Sequence, residues 1–190
     1  MAAPAALAGG FARPAEDAAR AFRACLEAMA RPGRIEQIRG AEPPAPLSVA
    51  AGSVLLTLVD DTTPLFLAPS HDRPEIREWI AFHCAAPLVP AEDAAVALGS
   101  WEALHPAGRF RTGTPDYPDR SATLIVEMPA LTPPNARLTG PGIETAHEAR
   151  LPEIAAFQEN RAGFPLGFDC YFTSGSGLAA LPRSTHVEAL

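Results

Sequence analysis

The stretch "SATLIVEM" at Ser121 to Met128 constrains the fold more than any other in the chain. Its middle is apolar at consecutive positions rather than alternate ones, the pattern of a strand covered on both faces. A strand of that kind needs a packing layer above it and another below it. That requirement points to an α/β architecture with a sheet between helices.

Segments able to supply those layers lie on either side of the strand. From Pro14 to Arg31 the apolar positions Ala15, Ala18, Ala19, Phe22, Cys25, Leu26 and Met29 recur at three and four residues, the spacing of one helical face. Pro14 suits a first helical turn, "RPG" ends the segment, and Glu16 with Arg20 and Glu27 with Arg31 pair along its solvated side. A second helix is expected in "DRPEIREWIAFHC", where Asp72 and Glu75 have capping-box spacing and Ile76, Trp79, Ile80 and His83 share a face. His83 continues that apolar stripe and reads as a core or interface residue. A third helix is expected in "LPEIAAFQENRAG", ending at Gly163.

Strands fill the intervals. Gly33 to Ile38 and Leu65 to Ala68 read as short strands, "ARLTGPGIET" as a strand entering a tight turn, and "GFDCYFT" and "LAAL" as a hairpin joined through "SGSG". Ser53 to Val59 is apolar throughout, so periodicity leaves helix and strand both open. Ser100 to Asp119, broken by Gly and Pro, reads as loop after a short helical start. The alternation of helices and strands predicts a mixed sheet flanked by helices in three layers, one domain over residues 1–190 with residues 1–12 as a flexible arm.

Composition narrows the chemistry. All 15 basic residues are arginine, so the chain cannot by itself supply the lysine of a P-loop or of a pyridoxal phosphate Schiff base. A net charge of −7 opposes binding to nucleic acid. No apolar run is long enough to cross a membrane, and the first residues lack the pattern of a secretory signal, so a cytoplasmic location is expected. Cys25, Cys84 and Cys170 are well separated and read as buried thiols, and the five histidines show no local zinc-binding spacing. No metal or cofactor is expected.

Four places remain where chemistry could concentrate. Thr139 to Gly142, "TGPG", is either a phosphate-facing loop or a turn needing positive φ, and the turn is favoured because GxGxxG is incomplete. "DDTTP", with Asp60 and Asp61, has turn composition. "SGSG" lacks the spacing of a nucleophile elbow. The terminal "LPRSTHVEAL" offers an arginine, two hydroxyls, an imidazole and a carboxylate. On an extended chain Arg183, Thr185 and Val187 point one way and Ser184, His186 and Glu188 the other, so the string cannot form one triad.

Taken together, "FRACLEAMARPGRI", "SVLLTLVDDTTPLFL", "FHCAAPLV", "RLTGPGIE", "FPLGFDCYFT" and "LPRSTHVE" resemble, in order and spacing, the PhnH family of the bacterial carbon-phosphorus lyase system. The resemblance runs from about Phe11 to Glu188. It implies a fold similar to that of pyridoxal phosphate-dependent transferases without the cofactor. It further implies a subunit of organic phosphonate breakdown, homodimeric alone and joined to subunits G, I and J. With G, I and L such a subunit takes part in the step that displaces adenine from ATP by an alkylphosphonate. The resemblance carries no assigned catalytic residue. Its motifs nominate Asp60, Arg137, Thr139, Gly140, Gly142, Arg183, Thr185 and His186 as lining a ligand site, for ATP or alkylphosphonate, or a subunit interface.

Overall fold

The computed structural model describes residues 8–190. Its main sheet has six strands: β1 (Glu36–Gln37), β2 (Leu65–Leu67), β3 (Val96–Ser100), β4 (Thr123–Glu127), β7 (Asp169–Ser174) and β8 (Gly177–Leu181). They lie in the order β1, β8, β7, β4, β3, β2. β2, β3, β4 and β7 run parallel, while β8 turns back antiparallel on β7 and β1 adds antiparallel to β8. A second sheet of three antiparallel strands, β6 (His147–Ala149), β5 (Ala136–Thr139) and β9 (His186–Ala189), lies in that order.

The expected central strand is β4, and its apolar run works as its composition demands. Ile125 enters the core shared with Leu65, Leu67, Leu98 and Tyr171 on one side of the sheet. That side is closed by α1 (Pro14–Ala30), α2 (Val49–Leu58) and α3 (Pro74–His83). Leu124 and Val126 enter the opposite core with Cys170, Phe172 and Leu181. There α4 (Trp101–Leu104) and α5 (Ile154–Ala162) pack beside the inner face of the small sheet, through Ala136, Leu138 and Val187. Each such side chain withdrawn from water stabilises the fold by about 1.5–3 kcal/mol, so both layers are held by the same strand. The chain is α/β with a mixed sheet flanked by helices.

Of the segment with no clear period, Ser53 to Leu58 belong to α2 and Val59 is its C-cap. Ser48 is its N-cap and accepts from the Ala51 N–H at 3.1 Å. Ala50 through Leu55 are all buried, as expected of a helix that is apolar on every side.

Several expectations need correction. In α1 the buried face runs through Ala21, Cys25 and Ala28, while Phe22 and Leu26 are 52% and 56% exposed. The small residues let the helix sit close to the sheet and leave the large ones outside. The ion pairs Glu16–Arg20 and Glu27–Arg31 form at 3.2 Å each. The capping box at α3 does not form: Arg73 occupies the N-cap without a side-chain bond, and Asp72 is taken by Arg77. Ile76, Trp79 and Ile80 are buried as expected, and His83 is half-buried at the rim, its ring against Trp79 and Phe82 and its Nε2 3.2 Å from the Ala8 carbonyl oxygen. Trp79 Nε1 donates to the same oxygen at 3.1 Å. Of the expected N-terminal arm, residues 1–7 lie outside the described residues. β3, β6 and β9 have no counterpart among the expected strands.

Candidate functional site

Three of the candidate residues, with Glu188 and Val187, are arranged by the pairing of β5 with β9. Arg137 stands opposite Glu188, Leu138 opposite Val187 and Thr139 opposite His186. Alternation then sorts the side chains: Leu138 and Val187 are buried, while Arg137, His186 and Glu188 are exposed on the outer face beside the half-buried Thr139. Arg137 Nη1 and Glu188 Oε2 form an ion pair at 3.2 Å across the strands. The expected alternation holds from Thr185, which is buried with 2% exposure, to Glu188, whereas Arg183 and Ser184 form a turn before β9 and do not follow it. Thr185 Oγ1 has no hydrogen-bond partner among the described residues.

β9 is an edge strand, and α5 covers it. Gln158 Nε2 donates to the Val187 carbonyl at 3.0 Å, and one turn later Arg161 Nη2 lies 3.1 Å from His186 Nε2. Covering an edge in this way removes a surface open to strand addition.

Arg183 lies in the turn that leads into β9, and its donors are taken by the chain itself. Nε and Nη2 donate to the two carboxylate oxygens of Asp169 at 3.1 and 2.5 Å, Nη1 to the Pro118 carbonyl at 2.8 Å, and Nη2 also to Ser121 Oγ. The Arg183 backbone N–H adds a bond to Asp169 Oδ1 at 2.8 Å. The two side chains are only 13% and 23% exposed. A guanidinium engaged this fully joins the first residue of β7 to the segment entering β9 and has little capacity left for an external anion.

The remaining candidates have structural duties. Asp60 Oδ1 accepts from the Thr62 N–H and from the hydroxyls of Thr62 and Thr63, at 3.0, 2.8 and 2.8 Å. These bonds favour its ionised form and lower its pKa. It is a turn. Gly140 and Gly142 have φ of +131° and +80°. A Cβ at Gly142 would collide with the Ala30 carbonyl at the end of α1, so the chain's own backbone fills the space a phosphate would need.

Three participants escaped the sequence. Asp169 had a signal, a lone carboxylate opening an otherwise apolar strand and so in need of a cation. Arg161 had none, because its partner is 25 positions away. Glu127, at the C-terminal end of β4, accepts from the Ser48 N–H at 2.6 Å and from Thr173 Oγ1 at 3.0 Å. Burial raises its pKa above the ordinary value, against the pull of those hydrogen bonds.

The comparisons with known proteins agree with this arrangement of motifs along nearly the full chain. Residues 9–188 match the model of the family described as bacterial phosphonate metabolism protein (PhnH). The alpha-D-ribose 1-methylphosphonate 5-triphosphate synthase subunit PhnH of Rhizobium meliloti (strain 1021) is 37% identical over 189 residues, covering 95% of this chain and 94% of that protein. The putative C-P lyase subunit protein HtxG of Stutzerimonas stutzeri is 32% identical over 206 residues, with 95% of each chain covered. This chain belongs to the PhnH family of bacterial phosphonate metabolism proteins.

Proposed function

We propose that the chain is a non-autonomous subunit of the carbon-phosphorus lyase system. In this reading it acts with subunits G, I and L when an alkylphosphonate displaces adenine from ATP, and it sits with G, I and J in a core complex. The names of its two relatives, each called a subunit, support the assignment. The structural observation that carries it is the engagement of Arg183 by Asp169, Ser121 and Pro118. The arginine of the chain's most evident anion-binding motif is thereby spent on internal cohesion, and His186 and Glu188 lie on an exposed strand face, a shape suited to contact with protein.

The same proposal includes a homodimer when the chain is alone, supported by Phe22, Leu26 and Ile35, which are 52%, 56% and 43% exposed. It includes a cytoplasmic setting, supported by the use of ATP. Likeness to pyridoxal phosphate-dependent transferases is supported by the parallel strands between helical layers. The missing lysine supports the loss of the cofactor.

Co-expression with the other subunits and affinity purification test the surface. Arg137→Glu places three carboxylates, with Glu148 and Glu188, across neighbouring positions of the outer face. The expected result is a folded protein that no longer co-purifies with its partners. Full retention of the partners by Arg137→Glu removes this face from the interface.

A further inference from the structure

Arg161 is half-buried, and its Nε is shielded from water with no acceptor among the described residues. Among the described residues it is one of nine arginines with no carboxylate within ion-pair distance, and only Arg109 shares with it a shielded Nε without a partner. Its two recorded contacts are an imidazole nitrogen, His186 Nε2 at 3.1 Å, and the face of Phe164, 5.0 Å from the guanidinium carbon. Neither neutralises a cation. A partly desolvated guanidinium without a counter-charge leaves free energy to be gained by recruiting one.

The surroundings suit an oxyanion. The two Nη groups of an arginine form a planar end-on fork that matches two oxygens on one centre. Because His186 Nε2 accepts from Arg161, the imidazole carries its hydrogen on Nδ1, which is a donor on the exposed face. Thr139, directly opposite His186, adds a hydroxyl to that face. Arg109 also has an unpartnered Nε, but it is enclosed by Phe66 and Phe110 and donates to the Ala103 carbonyl at 2.7 Å, with no second donor group beside it.

We infer that Arg161 and His186 form an oxyanion-binding site that takes a phosphate or carboxylate group, with Thr139 as a supporting donor. The arginine serving the terminal motif is then not Arg183, its neighbour in sequence, but one brought in by α5. This goes beyond the subunit assignment and needs no partner chain.

The test uses the isolated full-length protein. Histidine ring signals are followed by NMR during separate titrations with inorganic phosphate and with acetate at constant ionic strength, and His186→Gln identifies the His186 signals. The expected result is a saturable shift of those signals with at least one of the two probes, at roughly millimolar concentration. Which probe acts tells phosphate from carboxylate. Arg161→Gln should abolish the response or weaken it about tenfold or more, and Arg161→Lys should retain part of it. The Gln variant is checked for an unchanged fold by its amide spectrum. No saturable response to either probe, or an undiminished response in Arg161→Gln, overturns the inference, and neither result bears on membership of the complex.

Discussion

Arg183 grips both carboxylate oxygens of Asp169, at 3.1 and 2.5 Å, and so fastens the segment entering β9 to the start of β7. Arg183→Ala leaves Asp169 partly buried without its cation and should destabilise the fold by about 3 kcal/mol. Asp169→Ala should act similarly, and the double variant should cost less than the sum, because it leaves no unpaired charge. Urea unfolding of the three variants measures this. Near-additive losses would mean that the two residues act separately.

Glu127 gives the stability a pH signature of its own. Burial raises its folded pKa above the ordinary 4.5, so the unfolded chain ionises first as pH climbs. Its contribution is therefore fully present below about that value and is lost as pH rises through the folded pKa. Glu127→Gln should match the native protein in stability under acid conditions and exceed it at neutral pH. Unfolding free energies of both proteins between acid and neutral pH check the sign, and a constant difference between them contradicts it.

Two glycines with positive φ separate steric need from conformational need. Gly175, in the β7–β8 turn, has φ +57° and open space where a methyl group would stand, whereas at Gly142 that methyl meets the Ala30 carbonyl. Gly175→Ala should cost about 1–2 kcal/mol from backbone strain alone. Gly142→Ala should cost clearly more, read as a larger fall in thermal midpoint.

What the sequence made legible was whatever local pattern determines. The consecutive apolar residues of β4, the spacing of α1 and α5, and the glycine turn between β7 and β8 all follow from neighbours along the chain. β3 was not legible because "VALGS" is short and contains Ala and Gly, which are poor strand formers alone; it is a strand because β2 and β4 flank it. β6, "HEA", exists only through pairing with β5. The orientation of α1 defeats any reading that equates size with burial, because Ala21 and Ala28 allow the closer approach. In the candidate site, strand alternation sorted His186 from Thr185 correctly. The partners Asp169 and Arg161 come from distant segments, so tertiary structure alone brings them together.

The thiols should be silent in the folded protein. Burial pushes Cys25 and Cys84 up to about 12 and raises Cys170 as well, and all three are enclosed. At pH 8 a thiol reagent such as Ellman's should react with none of them on the timescale of an exposed cysteine, and with all three after denaturation. Rapid labelling of the native protein would show that one of these core regions opens readily.

The central claim is that this chain is necessary to the adenine-displacing step yet does not perform it alone. The direct measurement is adenine release from ATP and methylphosphonate by the purified chain, by the partner subunits without it, and by the reconstituted set. The account predicts release only from the reconstituted set. Release by the chain alone, or equal release by the partners without it, would contradict the account.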